Sequence, residues 1–104
     1  MKHALVLLVL TVLRVPRADA QYNILGSGVG SCRTWAAERR ASSLGYTAVQ
    51  SMQWVLGYLS GIGFVGEDGA DPLNNVDARG VWAWIDNYCQ SHPIDHIVGT
   101  AKAF

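Results

Sequence analysis

The sequence predicts an all-α fold, a small four-helix bundle with one disulfide. Three observations predict it. Apolar residues recur at helical spacing in four separate stretches, and no run of alternating polar and apolar residues is long enough for a strand. The only two cysteines, Cys32 and Cys89, both follow an N-terminal segment that reads as an export signal. Beyond that segment 84 of the 104 residues remain, a length that buries a modest core and commonly needs a staple.

The export signal is residues 1–20. Met1-Lys2-His3 is short and basic, residues 4–13 are apolar apart from Thr11, and Ala18-Asp19-Ala20 supplies an A-x-A cleavage site behind Arg14, Pro16 and Arg17. The apolar run is far shorter than the ~20 residues a membrane-spanning helix needs. Cleavage is expected after Ala20, with the mature chain in a periplasm. There, two cysteines read most simply as one disulfide closing a loop of 58 residues. Such a loop is worth roughly 4 kcal/mol on the chain-entropy model.

The whole chain carries 8 basic and 8 acidic residues. The mature part keeps Arg33, Arg39, Arg40, Arg79 and Lys102 against Glu38, Glu67, Asp68, Asp71, Asp77, Asp86 and Asp95, a net charge of −2. This balance excludes a basic nucleic-acid footprint. A hydrophobic content of 50% excludes intrinsic disorder, and 11 glycines without a period exclude collagen.

Residues 21–31 carry three glycines and no helical period, and read as a flexible leader. Their G-x-G-x-G spacing is no nucleotide loop, because no strand precedes it and no phosphate-binding lysine follows. The helical domain spans residues 32–104. The first helix, 32–43, has Ser31 as N-cap and Arg39 and Arg40 near its end, where cations suit the helix dipole. The second, 47–62, has Val49, Met52, Leu56 and Leu59 as its core stripe. Trp54, Val55 and Tyr58 cover much of its other side, so it reads as apolar nearly all round and central to the bundle.

No charged residue occurs from Ala41 through Gly66, which raises a membrane reading. Gln50, Ser51, Gln53 and Ser60 interrupt the stretch, and Gly57, Gly61, Gly63 and Gly66 weaken it, so burial in a bundle is preferred to a span. An acidic turn-rich loop, 67–75, follows. The third helix, 78–90, has Asp77 as N-cap and Val81, Ile85 and Tyr88 facing inward. The fourth is expected to start at Pro93, with Ile94, Ile97, Val98, Ala101 and Phe104 repeating at helical period.

Candidate chemistry is sparse. His92 and His96 stand at i, i+4 and could share a metal, but Pro93 breaks their alignment and no third ligand is evident. They remain the expected pH-responsive residues. Glu67, Asp68 and Asp71 lack the order of a calcium loop and read as solvated. Nothing marks a nucleophile, base and acid as a set, so the chain is expected to be non-enzymatic, without metal or cofactor. Four tryptophans say more. Trp82 and Trp84 lie about 200° apart on one helix, so both cannot face the same core. Trp84, with Trp54 and Tyr58, is the candidate protein-binding surface.

The combination Cys32-x-x-Trp35, Gln53-Trp54-x-x-Gly57-Tyr58-Leu59-x-Gly61 and Trp84-x-x-x-Tyr88-Cys89-x-x-His92-Pro93, with a short last helix ending in Phe104, resembles the HdeA/HdeB-like superfamily of small exported helical proteins. The resemblance covers most of residues 32–104. It implies a periplasmic all-helical fold with a disulfide matching Cys32–Cys89. It also implies an acid-activated chaperone, homodimeric at neutral pH, that binds unfolded clients once acidified. The Gly57-Tyr58-Leu59-x-Gly61 and His92-Pro93 elements also resemble the Rap/Tai-type secretion immunity proteins, which share that fold and usually carry further cysteines. The chaperones are lysine-rich with charged tails, whereas the mature part here has Lys102 alone and an apolar end. Full protonation would carry its side-chain charge from −2 to roughly +7, enough self-repulsion to loosen an interface. The expected function is therefore an acid-stress chaperone binding unfolded clients. The alternative is an immunity-type module that recognises one cognate protein at neutral pH.

Overall fold

The computed structural model describes residues 22–66 and 69–104. The fold is all-α, with four helices: α1 Cys32–Arg40, α2 Tyr46–Val65, α3 Ala78–Ser91 and α4 Ile97–Ala103. No strand occurs among the described residues; one isolated antiparallel bridge joins Ser31 to His96. The expected signal segment and its cleavage site lie outside the described residues.

The helices surround one core of Cys32, Trp35, Met52, Val55, Leu59, Val81, Ile85, Cys89, Ile97 and Ala101. α1 lies along α3, with α2 and α4 completing the bundle. The Cys32–Cys89 disulfide ties the start of α1 to the end of α3, with Cα atoms 4.9 Å apart. Thr100, fully buried on α4, places its hydroxyl 3.2 Å from Cys32 Sγ and bonds the His96 carbonyl.

α1 begins where its free N–H groups find acceptors. Cys32 N donates to Asp95 O at 2.8 Å, Arg33 N to Pro93 O at 3.0 Å, and Thr34 N to Ser31 Oγ at 3.2 Å. Ser31 is thus the cap its position predicted. The carbonyls of residues 93 and 95 also explain why α4 starts at Ile97 instead of Pro93. A turn at 93–96 aims those carbonyls at α1, and His96 becomes the residue before α4. At its other end α1 stops at Arg40, three residues short of the expected 43. Ala41 is extended and residues 41–44 are exposed, so nothing packs there to sustain another turn.

α2 corrects the sequence reading most. It runs more than five turns, but its buried side is Ala48, Ser51, Met52, Val55 and Leu59. Val49, expected in the core, is exposed, Leu56 is half-buried, and Val55, expected outside, is fully buried. Small Ala48 and Ser51 let the neighbouring helices approach closely, and hydrophobicity alone undervalues such positions. The helix is therefore not central: one face carries the core and the opposite face meets solvent. α3 has the expected cap, with Asp77 Oδ1 accepting from Gly80 N at 2.8 Å, and Val81, Ile85 and Cys89 are buried, whereas Tyr88, expected to face inward, is only half-buried.

Residues 26–31 also depart from expectation. The segment read as a flexible leader forms a 3-10 turn at Ser27–Val29 and seats on α2 and α4, with Gly28 buried. Its glycines, which suggested freedom, are what lets the backbone come close. A Cβ on Gly28 would lie 2.3 Å from the Trp54 ring.

Candidate functional site: two aromatic clusters and an uncharged helix face

The three aromatic residues expected to form one surface are divided between two clusters. On α2, Trp54 and Tyr58 stand one turn apart and stack with ring centroids 5.3 Å apart. The Trp54 indole is already engaged, its Nε1 donating to Leu25 O at 3.0 Å while its ring covers Gly26 and Gly28. On α3, Trp84 stacks on Tyr88 at 5.2 Å and meets Phe104 edge-on at 5.3 Å. Trp84 is thus half-buried, partly covered by Phe104. Trp82 is half-buried as well and donates from Nε1 to Met52 O at 3.3 Å. The two tryptophans grip different neighbours from opposite sides of α3, as their 200° separation requires.

The two histidines are not brought together on one helix. His92 ends α3 and stacks on Tyr88 at 3.9 Å, with Nδ1 2.8 Å from Tyr88 O. His96 sits past the turn, with Nδ1 3.0 Å from Val29 O. A carbonyl only accepts, so both histidines donate from Nδ1. Among the described residues no group of three His, Cys, Asp or Glu converges as metal ligands would. Glu67 and Asp68 of the acidic loop fall outside those residues, and Asp71 uses Oδ1 to accept from Leu73 N at 2.9 Å.

Sequence reading missed a partly exposed polar link between α1 and α3. Asp86 on α3 accepts from Trp35 Nε1 at 2.8 Å and from Arg39 Nε at 3.0 Å through Oδ1, and from Arg39 Nη2 at 2.8 Å through Oδ2. Arg39 also points Nη1 at Met52 Sδ and lies 6.0 Å from the Trp35 ring centre. Its hydrogen bonds to Asp86 raise the Arg39 pKa above its ordinary value despite partial desolvation, so the guanidinium stays charged at every working pH. Beside this pair lies an open depression of about 220 Å³ lined by Ala36, Arg39, Arg40, Asp86 and Gln90. The spacing of Trp35 and Arg39 by one turn was visible in the sequence, but nothing there says which acid of another helix meets them. The Tyr88 hydroxyl is likewise raised, first by burial and then by donating to Asp95 Oδ2 at 3.2 Å.

Among the described residues, the outward side of α2 has no neighbouring element packed on it. Phe64 is 89% exposed and Tyr46 79%, with Val49 and Val65 also exposed. Between them lie Gln50, Gln53, Gly57, Ser60 and Gly61, all exposed, and a Cβ on either glycine would meet nothing within 4 Å. No helix among the described residues is long and apolar enough to cross a membrane. No family model, curated protein or solved structure matches the chain.

Proposed function

We propose that this chain is a non-enzymatic exported protein that binds a partner protein at neutral pH through the outward face of α2. One observation carries the reading. A helix of 20 residues, about 30 Å long, presents Tyr46, Val49, Phe64 and Val65 to solvent without a single charged side chain along it. Soluble monomers seldom expose such a face unless something covers it. The bundle beneath is already ordered by its disulfide and caps, which suits rigid docking on one cognate surface. The disulfide fits an oxidising compartment, and the pattern of residues 1–20 supports a periplasm, with cleavage after Ala20.

A second reading, acid-induced binding of unfolded clients, is favoured by one contact. The Asp86 carboxylate accepts from both Trp35 and Arg39, so this tie between α1 and α3 depends on one side chain, and the disulfide would persist if it were lost. It ranks second because that contact lies inside the bundle, whereas the outward face of α2 is already exposed without any change of state. Capture at pH 7 from a periplasmic extract or from secreted effectors should yield a stable 1:1 complex. Recovery of no specific partner, together with suppression of a test protein's aggregation only near pH 2–3, would favour the second reading instead.

A further inference from the structure

We propose that the Cys32–Cys89 bond is closed to thiol–disulfide exchange while the chain is folded, so that any thiol or oxidoreductase that breaks or remakes it acts on the unfolded chain alone. Exchange needs an external thiolate in contact with a disulfide sulfur. Neither sulfur is within reach, since Cys32 is 0% exposed and Cys89 2%. Thr100, also fully buried, sets its hydroxyl 3.2 Å from Cys32 Sγ, and Ile97 and Ala101 bury the rest of that side of α4 in the core. Residues 26–30 add an outer layer over the start of α4. Ile97 N donates to Gly30 O at 2.8 Å, and a Cβ on Gly30 would lie 3.3 Å from Ile97 Cδ1.

Burial alone would not close a bond placed at two helix ends, because helix ends open locally at little cost. Cys32 is the first residue of α1, and Cys89 lies in the last turn of α3. The turn at 92–96 fastens both. Its Asp95 and Pro93 carbonyls accept from Cys32 N at 2.8 Å and Arg33 N at 3.0 Å. His92 stacks on Tyr88 at 3.9 Å with Nδ1 2.8 Å from Tyr88 O, and the Tyr88 hydroxyl donates to Asp95 Oδ2 at 3.2 Å. Freeing either cysteine therefore undoes α1, α3 and α4 together. Once the chain is unfolded, the thiolate of a dithiol reductant attacks one sulfur, forms a mixed disulfide and expels the other cysteine as a thiolate, which takes a proton. The reductant's second thiolate then displaces the first cysteine. The reductant leaves as a cyclic disulfide, and two electrons have passed to the two cysteines. The closure is independent of whatever the outward face of α2 binds.

The probe is dithiothreitol added to the full oxidised chain at about pH 8, where a fraction of its thiol is ionised. Freed cysteines are trapped with iodoacetamide and counted by mass spectrometry, at reductant concentrations where the rate is still proportional to reductant. Reduction should accelerate with urea along the same slope as global unfolding followed by tryptophan fluorescence. Asp77→Ala loosens α3 at the end away from Cys89 and leaves the surroundings of the sulfurs untouched. It should speed reduction about five-fold, the factor by which it raises the unfolded fraction. A rate that responds neither to urea nor to Asp77→Ala would mean direct attack on the folded chain. A urea slope well below that of global unfolding would mean that one helix end opens by itself. Either result overturns the proposal.

Discussion

The two sides of the molecule are built to opposite rules. Where α1 meets α3, each strong polar group that packing encloses has a partner: Trp35 Nε1 and the Arg39 fork find Asp86, and the first N–H groups of α1 find carbonyls and a serine. A disulfide crosses the same seam. On the outward side of α2 nothing is paired, because nothing there is charged and the large side chains, Tyr46 and Phe64, meet water. The contrast separates what holds the fold together from what the fold leaves open. The first region makes the fold unique, and the second is left incomplete at little cost to it.

The sharpest break in this contrast comes from the disulfide. Replacing both Cys32 and Cys89 by serine should remove about 4 kcal/mol, the closure entropy of their loop, and leave a chain that melts near or below room temperature by circular dichroism. Asp86→Ala comes next. It strands the buried Trp35 indole N–H and the Arg39 guanidinium, and urea unfolding should show a loss of about 2–3 kcal/mol. Asp77→Ala removes only the α3 cap and should cost about 1 kcal/mol.

On the other side the sign reverses. Gly57→Ala adds a methyl that meets nothing and spares backbone entropy, so it should raise stability by about 0.5–1 kcal/mol. A smaller effect should appear in alkali. Tyr88 holds its proton above the ordinary tyrosine value, so the folded state binds more protons than the unfolded one there. Stability should fall as pH rises past 10, and ultraviolet titration should show a late phenolate component that Tyr88→Phe abolishes.

The helical class, the two cysteines and the caps Ser31 and Asp77 were legible in the sequence because each is a local signal. The facing of α2 was not. Two stripes share Met52 and Leu59, and the choice between Val49 and Val55 depends on how closely neighbours approach Ala48 and Ser51. Long-range partners were equally hidden: Asp86 is 47 positions from Arg39, and His96 is 67 from Val29. The glycines of residues 26–30 misled for a physical reason. Glycine serves both a flexible linker and a backbone pressed against an aromatic ring, and composition cannot tell the two apart.

Binding of a partner protein by the outward face of α2 at neutral pH is best read by comparing wild type with Gly57→Glu in capture at pH 7, each captured complex being sized by light scattering. Gly57→Glu puts one charge in the middle of the uncharged face, where its Cβ has open space, so the melting temperature should hold. The account predicts a 1:1 complex with wild type and at least a ten-fold loss of capture with the variant, a cost of about 1.4 kcal/mol or more. Equal capture by both chains would contradict it.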